Sequence, residues 1–399
     1  MTSGYDDTTD IPEITLTDGE VLRDPFTAYG RAREQGPVAR VGAPGFGPMW
    51  ALTRHADARA LLGDARFEIN EHSFMSPDVP DDCRPYMRTM SERNGPEHTR
   101  LRRLVAPAFG ARRAASLRPR IAAIVARLLD DLPAGEPVDL LEHVARPLPM
   151  DVICELVGVP ESDRPSWRAY GATVASGAGA GFAAAIPGIM DGAKRAIARG
   201  RANPGDDVIG DLVRMRSEDG DRLSDTELVT LVWHLVIAGQ TPTNLIANAV
   251  AALLAHPDLL AELRADPGLM PGAVDELIRW CGPTLLTIPR YAREDTDLHG
   301  VSVRAGDAVV TVVAAANRDP RAYDDPDRLD IHREMTPGHL GFAHGVHYCL
   351  GASLARVQTE VALTAVLARF PKLELAADPA EIRAVDPGTW RLTSLPVTG

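Results

Sequence analysis

Lysine is nearly missing from this sequence. Lys194 and Lys372 are the only two, and arginine supplies the rest of the 42 basic residues. Together with the many alanines, that bias reads as the base composition of a GC-rich bacterial genome rather than as chemistry. Cysteine is also scarce. Cys83, Cys154, Cys281 and Cys349 have no short pair spacing, which excludes a disulfide framework and a CxxC metal knuckle and fits a reducing compartment. Positive charge is in deficit, 42 basic against 55 acidic residues for a formal net charge of −13. Such a surface repels phosphate backbones and excludes nucleic acid as a general partner. No run approaches the ~18 apolar residues of a membrane-spanning helix. Residues 1–20 are acidic and polar, without the charged-then-apolar order of a signal peptide. The expectation is a cytoplasmic protein with no membrane partner.

What is present is an ordinary globular composition, 45% hydrophobic and 24% charged, which rules out disordered, collagenous and coiled-coil chains. A helix is predicted from Asp24-Pro25, followed by a small hairpin from the apolar stretches 38–41 and 49–53. Residues 96–256 are mostly helical in pattern, with breaks expected at Pro119, Pro133, Pro160 and Pro187 and at the glycine-rich 177–181. Residues 225–256 keep helical spacing well beyond the ~11 to 12 residues of an average helix, predicting one long helix through the core. Residues 288–312 switch to a strand pattern with Gly300 and Gly306 as turns. No repeat, low-complexity linker or charge run divides the chain. The fold class expected is mainly α with a small β part, in a single domain over 1–399.

The stretch GFAHGVHYCLG at 341–351, with an amphipathic helix predicted over 352–370, carries the most chemistry. It places Cys349 at the start of a helix, where free N–H groups and the positive end of the macrodipole favour a thiolate, the form that binds metal. Gly345 permits a tight loop, Gly351 lets a flat group approach the backbone, and Phe342 offers an apolar lid near the sulfur. The run FxxGxxxCxG, here Phe342, Gly345, Cys349 and Gly351, resembles the haem-binding loop of the cytochrome P450 family. The resemblance implies a cytochrome P450 fold with haem b between the long central helix and the cysteine-loop helix. It also implies that Cys349 is the proximal thiolate of the iron, whose electron donation favours O–O cleavage. Zinc is the competing reading, because His344, His347 and Cys349 lie close together in sequence and all three can bind it, although no second Cys/His cluster completes a four-ligand site.

A haem in an apolar pocket needs cationic or hydrogen-bonding partners for its propionates. His98 and Arg102 lie four apart on a predicted helix and share one face. The resemblance assigns propionate contacts to these two, to Arg290 and to His347. Glu276 and Arg279 form ExxR on a helix predicted over 272–281, with spacing that allows a bidentate pair. In the family this pair locks to an arginine before the cysteine loop, for which Arg328 and Arg333 are the candidates, in a structural role.

The central helix departs from the family. It reads AGQTPTN over 238–244, where the family pattern has an acid and an alcohol that relay protons to iron-bound dioxygen. In an ungapped match Thr241 takes the acid's place and Pro242 the alcohol's. Pro242 cannot donate to the Ala238 carbonyl and its ring clashes there, which predicts a kink and an unpaired carbonyl beside Gly239. Ala238, Gly239, Gln240, Thr241 and Thr243 are therefore the catalytic candidates. Fatty-acid peroxygenases of the family carry arginine before that proline, and Thr241 in its place argues against that subgroup.

The sequence shows no nucleotide fingerprint and no reductase segment, so the resemblance implies a ferredoxin and a ferredoxin reductase as electron partners. Eight arginines and one acid, Glu97, between positions 93 and 120 predict a basic docking patch for the ferredoxin. The implied activity is a monomeric, dioxygen-dependent monooxygenase that hydroxylates or otherwise oxidises a small natural-product-like molecule. Oxidative C–C or C–O coupling or ring closure is a second reading. The expected pocket walls are 70–90, 166–190, Trp233, His234, Ile237, 284–288 and Trp390, with a lid over 175–185. His234 is either a substrate contact or a hydrogen-bonded core histidine.

Overall fold

The computed structural model describes residues 11–43, 46–74, 77–135, 137–175, 180–215 and 220–399. The expected lid falls partly outside them. At one end the predicted hairpin forms, Val38–Ala43 antiparallel to Phe46–Leu52, with Val38 opposite Leu52 and Val41 opposite Met49. It is the middle of a six-stranded mixed sheet ordered Glu13–Thr15, Val38–Ala43, Phe46–Leu52, Ala308–Thr311, Arg290–Ala292 and Phe67–Glu68. Val41, Ala51 and Val310 are buried on one face and Val38, Leu52 and Val309 on the other, so β-branched and small residues of these strands fill both sides of the sheet. A separate hairpin, Thr296–Leu298 with Val301–Val303, turns through His299 at φ 55° and Gly300 at φ 85°. Positive φ at both loop positions matches the right-handed twist of the flanking strands.

The remainder is helical. Pro133 and Pro160 fall between helices as expected, but Pro119 and Pro187 sit inside continuous ones, Ala111–Asp130 and Ala180–Ala202. Pro119 is tolerated because it lies on the exposed face, where water satisfies the carbonyl it leaves free, while Leu117, Ile121, Ile124 and Leu128 bury the other face. Lys194 of the second helix lies over the Tyr86 ring, 5.2 Å from its centroid.

The predicted long central helix is two helices, Asp225–Ala238 and Thr241–Leu254. Its start carries a capping box, with Ser224 N–H donating to Glu227 Oε2 at 2.7 Å and Glu227 N–H donating to Ser224 Oγ at 3.2 Å. The break falls at Gly239 and Gln240, as the proline demands: Pro242 occupies the first turn of the second helix, where its missing N–H costs nothing. A Cβ at Gly239 would run into the Leu235 carbonyl and the Ile153 side chain.

The amphipathic helix expected after the cysteine loop forms as Ala352–Arg369 and is buried on more than one face. It packs on Ala111–Asp130, Thr241–Leu254 and Met270–Cys281, so even Gln358, Thr359 and Glu360 are buried. Glu360 pairs with Arg118, and Thr359 Oγ1 donates to the Ala355 carbonyl at 2.7 Å.

Helix Met270–Cys281 holds a fully buried ion pair. Arg279 donates through Nε to Glu276 Oε2 at 2.6 Å and through Nη2 to Oε1 at 2.7 Å. Its Nη1 also donates to the carbonyls of Asn317 and Pro326, both at 2.8 Å. Glu276 Oε1 accepts from the Asp330 N–H at 2.9 Å and faces Arg333 Nε at 3.3 Å. Of the two arginines considered from sequence, Arg333 is the one that closes the network, while Arg328 points outward to Asp330. Asn317, whose carbonyl serves Arg279, accepts the Leu340 N–H on its side-chain oxygen at 2.7 Å. The network therefore runs from the helix to the threshold of the cysteine loop. Removing one partner strands buried charge, so Glu276→Ala should cost about 3–5 kcal/mol in urea denaturation. Arg328→Ala should cost less than about 1 kcal/mol.

Candidate functional site

Backbone geometry and hydrogen bonding shape the cysteine loop. Ala343 at φ 60° and Gly345 at φ 75° reverse the chain twice, and the Cys349 N–H donates to the Phe342 carbonyl at 2.9 Å, closing the loop. A Cβ on Gly345 would stand 2.7 Å from the Leu62 carbonyl oxygen, whereas one on Gly351 would meet nothing within 4 Å. Arg356 braces the loop from the following helix, 2.6 Å from Asp275 and 4.7 Å over the Phe342 ring. Asp275 also faces His339 Nε2 at 3.3 Å; burial pushes its carboxyl up, but the hydrogen bonds from His339 and Arg356 outweigh that and hold it below the usual range. Cys349 lies just before the helix start, which is Ala352. Burial pushes its thiol up; the Gly351 N–H and the charges of Arg102 and Arg356 pull the other way.

Above the loop is a cavity of about 410 Å³ between it and the break in the central helix. Cys349, Phe342 and Gly351 line its floor, and Ala238, Gly239, Thr241 and Pro242 its roof. One wall gathers His98, Arg102, Arg290 and His347. His98 and Arg102 come from helix Gly95–Val105, Arg290 opens its strand, and His347 ends the turn before the cysteine. The rings of His98 and His347 are 4.3 Å apart. Burial pushes His347 down to about 3, helped by His98, Arg290 and Arg102. Burial alone lowers Arg290 to about 10, and no carboxylate among the described residues pairs with it or with Arg102. A buried, cation-lined wall without counterions is a site built for an anionic group.

A family model described as Cytochrome P450 matches residues 268–382. The chain is 42% identical over 364 residues to the cytochrome P450 monooxygenase PikC of Streptomyces venezuelae, covering 90% of this chain and 87% of that one. The chain belongs to the cytochrome P450 family. It is also 42% identical to the mycinamicin IV hydroxylase/epoxidase of Micromonospora griseorubida, over 89% of this chain and 90% of that enzyme. Among solved structures, the Bacillus subtilis polyketide-synthase P450 PksS superposes with a TM-score of 0.88 at 33% identity, covering 96% of this chain and 98% of that one. Like its relatives, this P450 is a monooxygenase, and its cofactor is haem b. The residues in place fit that group: an apolar chamber, a cysteine beneath it, open space at Gly351 and a wall of uncompensated cations.

The structure corrects several expectations. Zinc has no site, because no group of three His, Cys, Asp or Glu residues able to hold a metal ion exists among the described residues, and His347 turns to His98 instead of joining His344. Gln240 and Thr243 do not reach the cavity. Both are buried; the Gln240 oxygen lies against Gly171 of the neighbouring helix, and Gln240 Nε2 and Thr243 Oγ1 find no hydrogen-bond partner among the described residues. Thr241 does reach it, and its hydroxyl donates to the Ala238 carbonyl at 3.1 Å, so the acceptor that Pro242 leaves free is capped by the neighbouring side chain. Trp390 is not a pocket wall: it stacks edge-on to Phe26 at 5.1 Å and beneath Arg383 at 3.5 Å. The basic patch is largely neutralised by acids from elsewhere in the chain. Arg100 pairs with Asp221 and Glu227, Arg113 with Asp206 and Asp211, and Arg120 with Asp206 and Glu155.

No sequence signal singled out Ser91, Asp275 or Arg356, because none belongs to a spaced motif. No single helix among the described residues is long and apolar enough to cross a membrane. The two loop glycines should separate cleanly. Gly345→Ala, forced into positive φ against the Leu62 backbone, should lower stability by at least about 1–2 kcal/mol in thermal or urea unfolding of the haem-free protein. Gly351→Ala should leave it unchanged.

Proposed function

We propose that this P450 oxidises a natural-product-like molecule with electrons from a ferredoxin, itself reduced by a ferredoxin reductase, and that Cys349 ligates the haem iron. The observation that carries the site assignment is one polar wall: the cations Arg102 and Arg290, with the imidazoles of His98 and His347 beside them, converge on one side of a chamber whose floor is Cys349. They would hold the propionates, whose charges supply the counterions that the protein lacks there. When bound, haem supplies dioxygen activation with thiolate donation to the iron. The chain's own groups do the rest. Phe342 and Leu350 keep the sulfur in an apolar setting, and Gly351 leaves room for a flat ring system. Thr241, facing the chamber with its proton on the Ala238 carbonyl, keeps lone pairs free to accept a hydrogen bond and hand a proton on. Glu276 and Arg279 act only as scaffold.

One relative is a mycinamicin IV hydroxylase/epoxidase and the structural neighbour PksS is the P450 of a polyketide synthase, and the chamber is continuous in its lining residues with a wider outer groove, which supports a bulky substrate. Most arginines of the expected basic patch are paired with acids within the chain, which leaves a ferredoxin less free positive charge there than the sequence suggests. The absent acid and alcohol favour a second reading, oxidative coupling or ring closure without oxygen insertion. Labelled dioxygen decides between them by the presence or absence of label in the product.

Cys349→Ser should abolish the long-wavelength Soret band of the reduced, carbon monoxide-treated protein; an unaltered band removes Cys349 as ligand. Arg290→Leu should stabilise the haem-free protein by on the order of 1 kcal/mol, since an unpaired buried charge is removed, while weakening haem retention in competition with apomyoglobin. Thr241→Ala should raise the hydrogen peroxide released per reducing equivalent, and unchanged coupling removes it from the proton path.

A further inference from the structure

At the junction of the inner chamber and the outer groove stands one polar pair. Ser91, on the short turn Met90–Glu92, lies 3.0 Å through Oγ from His234 Nε2 on the central helix. Both residues line the inner chamber and also the outer groove, a larger space of about 1100 Å³ walled by Trp233 and Phe182. From the sequence, a hydrogen-bonded core histidine was one reading of His234; the bond to Ser91 agrees with it, while its place in both linings also gives the ring a face toward each space. Building on the function proposed above, we propose that Ser91 and His234 are specificity-determining residues that bind an uncharged oxygen, a ketone or hydroxyl, of a substrate long enough to lie in both spaces.

The chemistry of the pair selects that group. Burial, with the positive charge of Arg102 adding to it, pushes His234 down to about 4, so the imidazole is neutral at physiological pH and attracts no anion as an imidazolium would. A neutral imidazole and a hydroxyl together have more donor and acceptor capacity than their mutual bond uses. A ketone can therefore accept from the pair, and a hydroxyl can both donate and accept. An ammonium group gains nothing from the pair itself, since neither residue carries negative charge and Arg102 opposes it; the carboxylates of Glu68, Glu71 and Glu92 belong to the outer groove. On the inner side Leu231 and Leu235 line the chamber with the imidazole, so a hydrocarbon that reached the junction would leave the remaining polar capacity of the pair unused. Uncharged oxygen is what the site rewards.

The test uses haem-loaded protein, its Soret spectrum recorded first, so that a failure of haem ligation is recognised separately from a failure of this proposal. Cyclic ketones of twelve to sixteen ring atoms and the matching cycloalkanes serve as probes, bound by equilibrium dialysis and followed in parallel by the haem spin shift. Native protein should prefer each ketone over its alkane. His234→Leu and Ser91→Ala should each reduce that preference by about five- to tenfold while alkane binding changes little. His234→Gln, which keeps an amide within reach of Ser91, should restore most of it. A native protein without ketone preference, whether through equal binding or none, overturns the proposal. So does a His234→Leu variant whose ketone-to-alkane ratio equals the native one.

Discussion

The buried carboxylate of Glu276 is the constraint on which the cysteine loop depends. It neutralises Arg279 and faces Arg333 while accepting the Asp330 N–H, and all of this happens where water is excluded. A charge so deep is tolerable only when each neighbour is in place, so the pair forces residues 317–333 into one path. Asn317 then passes that path on to Leu340 through its side-chain oxygen. The sulfur of Cys349 is positioned at the end of this chain of hydrogen bonds, several residues from any charge that sets it.

The roof is built by a different device. Proline at position 242 ends one helix and begins another, and the two-residue gap lets Thr241 fold back on Ala238. A roof that in the family pattern holds an acid and an alcohol here offers one capped hydroxyl and a proline ring. The polar group that faces the chamber from further along the helix, His234, is neutral and bonded to Ser91. Floor and roof thus have opposite logic: the floor is rigid through paired charge, and the roof is shaped by a missing donor.

Much of this was legible in the sequence because local chemistry set it. The FxxGxxxCxG spacing, the proline in an otherwise helical run and the i,i+3 pair at 276 and 279 each act within a few residues, and their consequences appear where the pattern placed them. Gly300 and Gly306 likewise turn the chain at positive φ. What sequence could not show was pairing across distance. The arginines of 93–120 looked like a free basic stripe until Asp206, Asp211, Asp221 and Glu227 were brought to them by the fold. Gln240 and Thr243 neighbour the catalytic stretch in sequence, yet the helix turns them away from the chamber. Trp390 was assigned to the pocket by position alone, and its partners Phe26 and Arg383 come from other parts of the chain.

The near-absence of lysine has a practical side. With two side-chain amines in the whole sequence, acylating reagents have few places to attach, and one of them is known in detail. Lys194 leans over Tyr86, near Arg84 and Met87 at the rim of the outer groove, with Asp191 at 3.7 Å. A dye coupled there sits close to residues that line the outer groove, so its emission can report changes in that region independently of the colour of the haem.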